Sequence, residues 1–307
     1  MLLFINVNFG VFMSQLGNLD LLYFGLAVLS YLGLNFCLAF RIQLMLRRLG
    51  HSMPFIRVLL FHFTSMILGD VTPGRAGYFG MILLLRDKVK AQDTFSILTI
   101  GQIIDFLLKI IGTIAFAALV STTVLDMNAN VVFIAVLLVA AVAAGSALLL
   151  FSRRFLRLMC IASGFRTVKN LYRFLLGVQD STAVLRPVLS WAFLVSVGGW
   201  VLVAAQWYFM ARAVDIEFSF LYFLLMQAIA STVSFIPVSL GGAGFQEFAI
   251  AALLKNASSL PVTYVQALVF GILIRTSSLL TDCLFGVANL HRLSLLDALN
   301  ARERKGA

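Results

Sequence analysis

An all-α, polytopic membrane protein is the fold class the sequence predicts, and three observations predict it. Of 307 residues, 61% are hydrophobic and only 12% are charged, where a soluble domain carries about 25% charged residues. Mean hydropathy is +1.01. The apolar residues gather into runs long enough to cross a bilayer, and the bases gather between those runs.

Met1–Met13 has neither a basic start nor a small-residue cleavage site, so it does not read as a signal peptide. It is too short to span, and is either a separate segment or the end of a longer first helix. Apolar runs at about 20–46, 91–122, 129–151, 187–211 and 261–290 follow, each near or above the ~20 residues of a crossing. Two further regions, 54–85 and 217–254, are hydrophobic but interrupted. The first breaks between Gly69 and Gly77, around Pro73 and Gly74; the second breaks between Ser234 and Gly244, around Pro237, Gly241 and Gly242. A break inside lipid leaves backbone groups without water, so it must face protein or a polar cavity.

Charge sets the orientation. Bases follow the first span (Arg41, Arg47, Arg48, Arg57), close the first broken region (Arg86, Lys88, Lys90), fill the segment from Arg153 to Arg186, and end the chain from Arg292 to Lys305. Eighteen of the 23 Lys and Arg residues sit there, which the positive-inside rule assigns to the cytoplasm. The implied path begins outside and returns each broken region to the face it left, as a helical hairpin does. The return legs, about 75–85 and 243–254, hold 11 or 12 residues, or ~16–18 Å at 1.5 Å per residue. That is about half the ~30 Å hydrocarbon thickness, so the hairpins read as re-entrant.

The two tips resemble each other, Gly74-Arg-Ala-Gly-Tyr78 against Gly241-Gly-Ala-Gly-Phe245. Span, hairpin and span recur in 20–122 and 187–290 with opposite orientation, an inverted repeat with broken helices such as many transporters carry. The whole chain, 1–307, is therefore a single transmembrane domain. Repeat one holds hairpin 54–85, repeat two holds hairpin 217–254, span 129–151 and segment 152–186 connect them, and 291–307 is a cytoplasmic tail. Within 152–186, Arg166, Lys169 and Arg173 oppose Leu171, Phe174, Leu175 and Val178 at helical spacing. That is either an amphipathic helix on the inner leaflet or an ordinary connector.

Seven ionisable residues fall inside spans or hairpins: Asp70, Arg75, Asp105, Lys109, Glu247, Arg275 and Asp282. A central charge costs at least ~2.5–3.5 kcal/mol, so such residues pair or line a cavity. Asp105 and Lys109 stand one turn apart as an ion pair or as site residues. Glu247 either caps its own hairpin or joins the cavity. Arg275 has no acid one turn away on its helix, and Asp282 lies two turns further on the same face. Helix starts after Gly74 and after Gly241, Gly242 and Gly244 offer N–H donors to an anion such as phosphate. His62 reads as a packed residue, Gln206 and Gln227 as inter-helix hydrogen bonds, and Trp191 and Trp207 as interface anchors.

Other functions lack their signals. The bases lie in inter-helix segments, which points away from nucleic acid. Cys37, Cys160 and Cys283 stand too far apart for a disulfide framework or zinc site. No phosphate loop, dinucleotide fingerprint or nucleophile elbow is present, so no cofactor is expected.

The stretch Pro237-Val-Ser-Leu-Gly-Gly-Ala-Gly-Phe-Gln-Glu247, with Thr72-Pro-Gly-Arg-Ala-Gly77, resembles the signatures of the lysylphosphatidylglycerol synthase transmembrane, or flippase-like, family. The likeness runs from about Phe9 to Leu290. That family often has a glutamate where this chain has Tyr78 and an arginine where it has Gln102. The resemblance implies a multi-pass protein of a prokaryotic cytoplasmic membrane that moves a lipid between leaflets, here a stand-alone member without the synthetase domain. Its partners would be membrane lipids with an anionic or polyprenyl-linked headgroup, and a glycosyltransferase or lipid-synthesis protein. Taken together, the residues predict a flippase whose Arg75, Arg275 and Lys109 neutralise phosphate. Asp70, Asp105, Glu247 and Asp282 would orient those bases or meet an amine. The alternatives are a membrane-embedded transferase or hydrolase with Glu247 or Asp70 as base, and an accessory subunit of a glycosyltransferase.

Overall fold

The first long helix begins where the sequence supplies a cap. The Asp20 carboxylate accepts from the N–H groups of Leu22 and Tyr23 at 2.9 and 3.2 Å, and α1 (Leu21–Arg48) ends on Arg47 and Arg48, favourable at a helix C-terminus. The computed structural model describes residues 14, 17–120, 129–155, 166–233, 244–255 and 262–293. Within them follow α2 (Phe55–Asp70), α3 (Met81–Leu85), α4 (Ala91–Val120), α5 (Ala129–Phe151), α6 (Arg166–Leu185), α7 (Leu189–Ala213), α8 (Phe220–Val233), α9 (Phe245–Lys255) and α10 (Tyr264–Gly286). No strand occurs among the described residues, and the protein is all-α. The proposed fate of Met1–Met13 lies outside them.

Four stretches are long and apolar enough to cross a membrane: α1, α4, the run Asn170–Ala213 that contains α7, and α10 with its extension. The fifth expected span coincides with the 23 residues of α5. The interrupted regions give shorter pieces. Helices α2 and α8 have 16 and 14 residues, roughly 24 and 21 Å. Their partners are the run Ala76–Leu85 and the 11 residues of α9. None reaches the ~30 Å of a full crossing.

Exposure is reversed relative to a soluble bundle. Leu29, Phe36, Ile111, Ile114, Leu280 and Leu284 stand exposed, while Asn35, Arg41, Gln43, His62, Gln206 and Asp282 are buried. A soluble monomer could not present so much apolar surface, and lipid is its natural cover.

Two main cores form, the first mostly from the first half of the chain with Val178, Leu185 and Ala192, and the second mostly from the second half with Ala27 and Phe116. Ile42, Met45, Met81, Leu85, Ile97 and Leu98 build the first. Trp207, Phe223, Met226, Ile250 and Phe270 build the second. Helix α1 packs on α7 between them, α2 crosses over to α10, and α4 crosses over to α8. The charged residues gather at this seam. Helix α6 packs on α4 and α5 with Val178 buried, Phe174 half-buried and Arg173 exposed, but Leu171, expected on the apolar side, is exposed as well. Asp93 anchors it, accepting from Ser181 Oγ at 2.5 Å while facing His51 Nε2 at 2.7 Å.

Candidate functional site

Arg41 corrects the sequence reading first. Counted there among the cytoplasmic bases, it is only 1% exposed, inside the bundle. Its Nη1 donates to Asp105 Oδ1 on α4 at 2.6 Å and its Nη2 to Oδ2 at 3.1 Å, and Nη1 also reaches Ser196 Oγ on α7 at 2.6 Å. This two-pronged pair takes both oxygens of Asp105, which the sequence had set against Lys109. A Cβ at Gly101 would stand 2.8 Å from Arg41 Nη2, so glycine leaves the guanidinium its place. A signal was available: Ile42, Leu44, Met45 and Leu46 follow Arg41, which keeps it within the apolar run.

At the first tip, Gly74 and Arg75 both adopt left-handed φ, 59° and 58°. For arginine that conformation costs about 1–2 kcal/mol and is uncommon. Asp70 Oδ1 holds the guanidinium at 3.0 Å. Thr72 closes the turn, its hydroxyl donating to Leu68 O at 2.8 Å and accepting from Gly77 N–H at 2.6 Å. The expected anion-binding helix start is absent here. Ala76–Gly80 is a five-residue 3₁₀ turn leading into a five-residue α3. The N–H groups of Ala76, Gly77 and Tyr78 are already given to Pro73 O, Thr72 Oγ1 and Arg75 O.

Gly241 and Gly242 lie outside the described residues. Gly244 has φ 86° and donates its N–H to Glu247 Oε2 at 2.7 Å, so Glu247 reaches back from the first turn of α9 to cap it. Its other oxygen lies 3.4 Å from Arg275 Nη1. The capping reading of Glu247 therefore holds, and Arg275 meets an acid on a neighbouring helix.

Asp282 departs furthest from its expected place. It is fully buried and lines neither cavity described below. The Tyr31 hydroxyl donates to it, 2.9 Å from Oδ1 and 2.8 Å from Oδ2. His62 is buried too. Asn35 uses its own Nδ2 on Tyr31 O, so its Oδ1 accepts from His62 Nε2 at 3.1 Å. That leaves His62 Nδ1 as the acceptor facing the Tyr78 hydroxyl at 3.5 Å. Gln206 does bridge helices, donating to Ser278 Oγ at 2.9 Å, whereas Gln227 reaches Leu224 O of its own helix at 3.4 Å. Trp191 is exposed, but Trp207 is buried edge-on against Phe270 and is no interface anchor.

Two cavities, of about 340 and 230 Å³, adjoin at the seam and share Arg75, Asp105, Lys109, Leu38 and Met66. Gly74, Tyr78, Gln102 and Thr99 line the larger. Asp70, Tyr31, Arg275, Gln206, Gln227 and Trp200 help line the smaller, so both halves of the chain contribute. The Lys109 ammonium lies 5.9 Å from the centre of the Phe106 ring, within cation–π range. Sequence reasoning missed Arg41, Ser196, Tyr31 and Tyr78. Among the described residues no cluster of His, Cys, Asp and Glu has the makings of a metal site.

A multi-pass helical protein that buries ion pairs around a cavity, with apolar side chains turned outward, is an integral membrane protein. Residues 1–286 match the family described as lysylphosphatidylglycerol synthase TM region, and the chain belongs to that family. Such membership ties a membrane protein to lipid handling. No curated protein sequence matches the chain. Gln102 and Tyr78 line the larger cavity. The guanidinium that meets Asp105 comes from Arg41 on α1.

Proposed function

We propose that the protein is a lipid flippase, carrying the anionic headgroup of a phospholipid or lipid-linked glycan between leaflets through the paired cavities. One observation carries this reading. Four bases, Arg41, Arg75, Lys109 and Arg275, gather with three acids, Asp70, Asp105 and Glu247, in or beside two adjoining cavities built from both halves. Each acid is held by a base, so the set keeps one positive charge in excess, the complement of a phosphodiester. Arg75, Lys109 and Arg275 present that charge to the headgroup, while the acyl or prenyl tails stay in lipid.

The packing supports an inverted repeat. Exchanging α1 with α7, α2 with α8, α3 with α9 and α4 with α10 turns the α2–α10 contact into the α8–α4 contact. The same exchange turns α1–α2 into α7–α8, and α3–α4 into α9–α10. Helices too short to cross fit re-entrant hairpins in both repeats, the internal symmetry on which alternating access rests. The charge pattern supports an orientation with the C-terminus on the cytoplasmic side, and the family resemblance supports a prokaryotic cytoplasmic membrane.

The test is lipid identity. Protein extracted in mild detergent is expected to co-purify with a phosphate-bearing lipid detectable by mass spectrometry, and a variant with Arg75→Gln and Lys109→Gln is expected to lose it. Equal retention of that lipid by the variant would remove these bases from the site. A changed headgroup on incubation would point to a transferase or hydrolase.

A further inference from the structure

We infer that Asp282 is a proton-binding site coupled to the headgroup cavity, so that transport is driven or gated by a proton. This rests on the flippase reading for what it is coupled to, but not for the proton itself.

The argument begins with burial. Asp282 is 0% exposed on α10, a crossing helix, and what it receives in the described structure is one tyrosine hydroxyl spread over both oxygens. An ionised carboxylate can accept several hydrogen bonds, and burying it without them or a touching cation costs more than binding a proton. The other buried acid at the seam shows the contrast, since Glu247 has both a backbone N–H and a guanidinium. The ionisable groups facing Asp282 are Tyr31 from α1, Asp70 from α2 and Arg75 from the first tip. Asp70 and Arg75 already hold each other. Among the described residues, α7 and α9 bring no ionisable group to it, because Glu247 turns to Arg275.

Tyr31 supplies the route. It lines the smaller cavity beside Asp70 and Arg75, and its hydroxyl holds Asp282. A proton passes from cavity water to the tyrosine oxygen as the tyrosine proton passes to the carboxylate, which leaves the hydroxyl intact and Asp282 neutral. The charge count then explains the coupling. With Asp282 protonated, the four bases and three acids leave one positive charge for an anion. With Asp282 ionised, four bases face four acids and the attraction is cancelled. Proton and anionic headgroup therefore bind together, and each raises the affinity of the other by the same factor.

Two measurements on the full chain in lipid nanodiscs test this. Infrared difference spectra between acidic and alkaline buffer are expected to show a carboxylic C=O band that titrates. The band should vanish in Asp282→Asn and shift in Tyr31→Phe, which removes its hydrogen bond. Short-chain phosphatidylglycerol is the binding probe, read by the fluorescence of Trp200 and Trp207 beside the cavity. Its affinity for the native protein is expected to fall between about five- and a hundredfold from acid to alkaline buffer. Asp282→Asn, the neutral isostere, should bind with acid-like affinity in both. A band untouched by Asp282→Asn, or an unchanged pH dependence of binding in that variant, overturns the inference and moves the titration to Lys109 or another group. If the probe binds at no pH while the Asp282 band still titrates, the headgroup reading fails and the proton site stands.

Discussion

Arg41 and Asp105 join three helices at one point, because the guanidinium bridges α1 to α4 and touches Ser196 on α7. Breaking such a pair leaves an uncompensated buried charge. Asp105→Asn should therefore lower the unfolding free energy by about 3–5 kcal/mol, measured by thermal or denaturant unfolding in detergent. Adding Arg41→Gln should recover part of that loss, and strict additivity would contradict the pairing. Arg275 differs, being 28% exposed in its side chain and facing a glutamate that keeps a backbone N–H without it. Arg275→Gln is expected to fold with a loss of about 1.5–3 kcal/mol, that of a hydrogen bond to a charged group. It should abolish binding of phosphatidylglycerol, and Arg275→Lys should retain only part of it, since an ammonium lacks the forked donors that suit phosphate. The sequence made Arg275, Arg75 and Asp105 legible as intramembrane charges. Arg41 is misread as a topology signal although apolar residues follow it, because its partner lies 64 residues away.

The first hairpin is governed by a close approach. A Cβ on Gly77 would lie 2.1 Å from the Leu68 carbonyl oxygen, and the Thr72 hydroxyl sits between the two legs. Gly77→Ala is expected to open the tip and take Arg75 out of the cavity, with a melting temperature several degrees lower and no binding of the lipid probe. A variant with native stability and binding would show that the tip tolerates wider legs. Gly101→Ala should act through another element, pressing on Arg41 from α4. Proline and glycine made both interruptions of the apolar sequence readable. How the tip spends its N–H groups was not readable, because Thr72 Oγ1, Pro73 O and Arg75 O satisfy them only once the 3₁₀ turn has formed.

For the whole molecule, the run of bases predicts an orientation, and hydropathy made the spans readable. The seam was not, because the contacts of α2 with α10 and of α4 with α8 join segments far apart in the chain. Orientation has a direct check: single cysteines at Asn128 and Ser258, in a background without the native three, should react with an impermeant reagent from outside, and one at Ser163 should not. Labelling of Ser163 from outside would invert the topology. Headgroup passage through the cavities is measured most directly in proteoliposomes holding tail-labelled fluorescent phosphatidylglycerol, with dithionite added outside. The expected result is quenching beyond the outer-leaflet fraction with the native protein and quenching limited to that fraction with Arg275→Gln. Equal quenching by the native protein, the variant and protein-free vesicles would contradict a flippase, and equal full quenching by both proteins would contradict the role of Arg275.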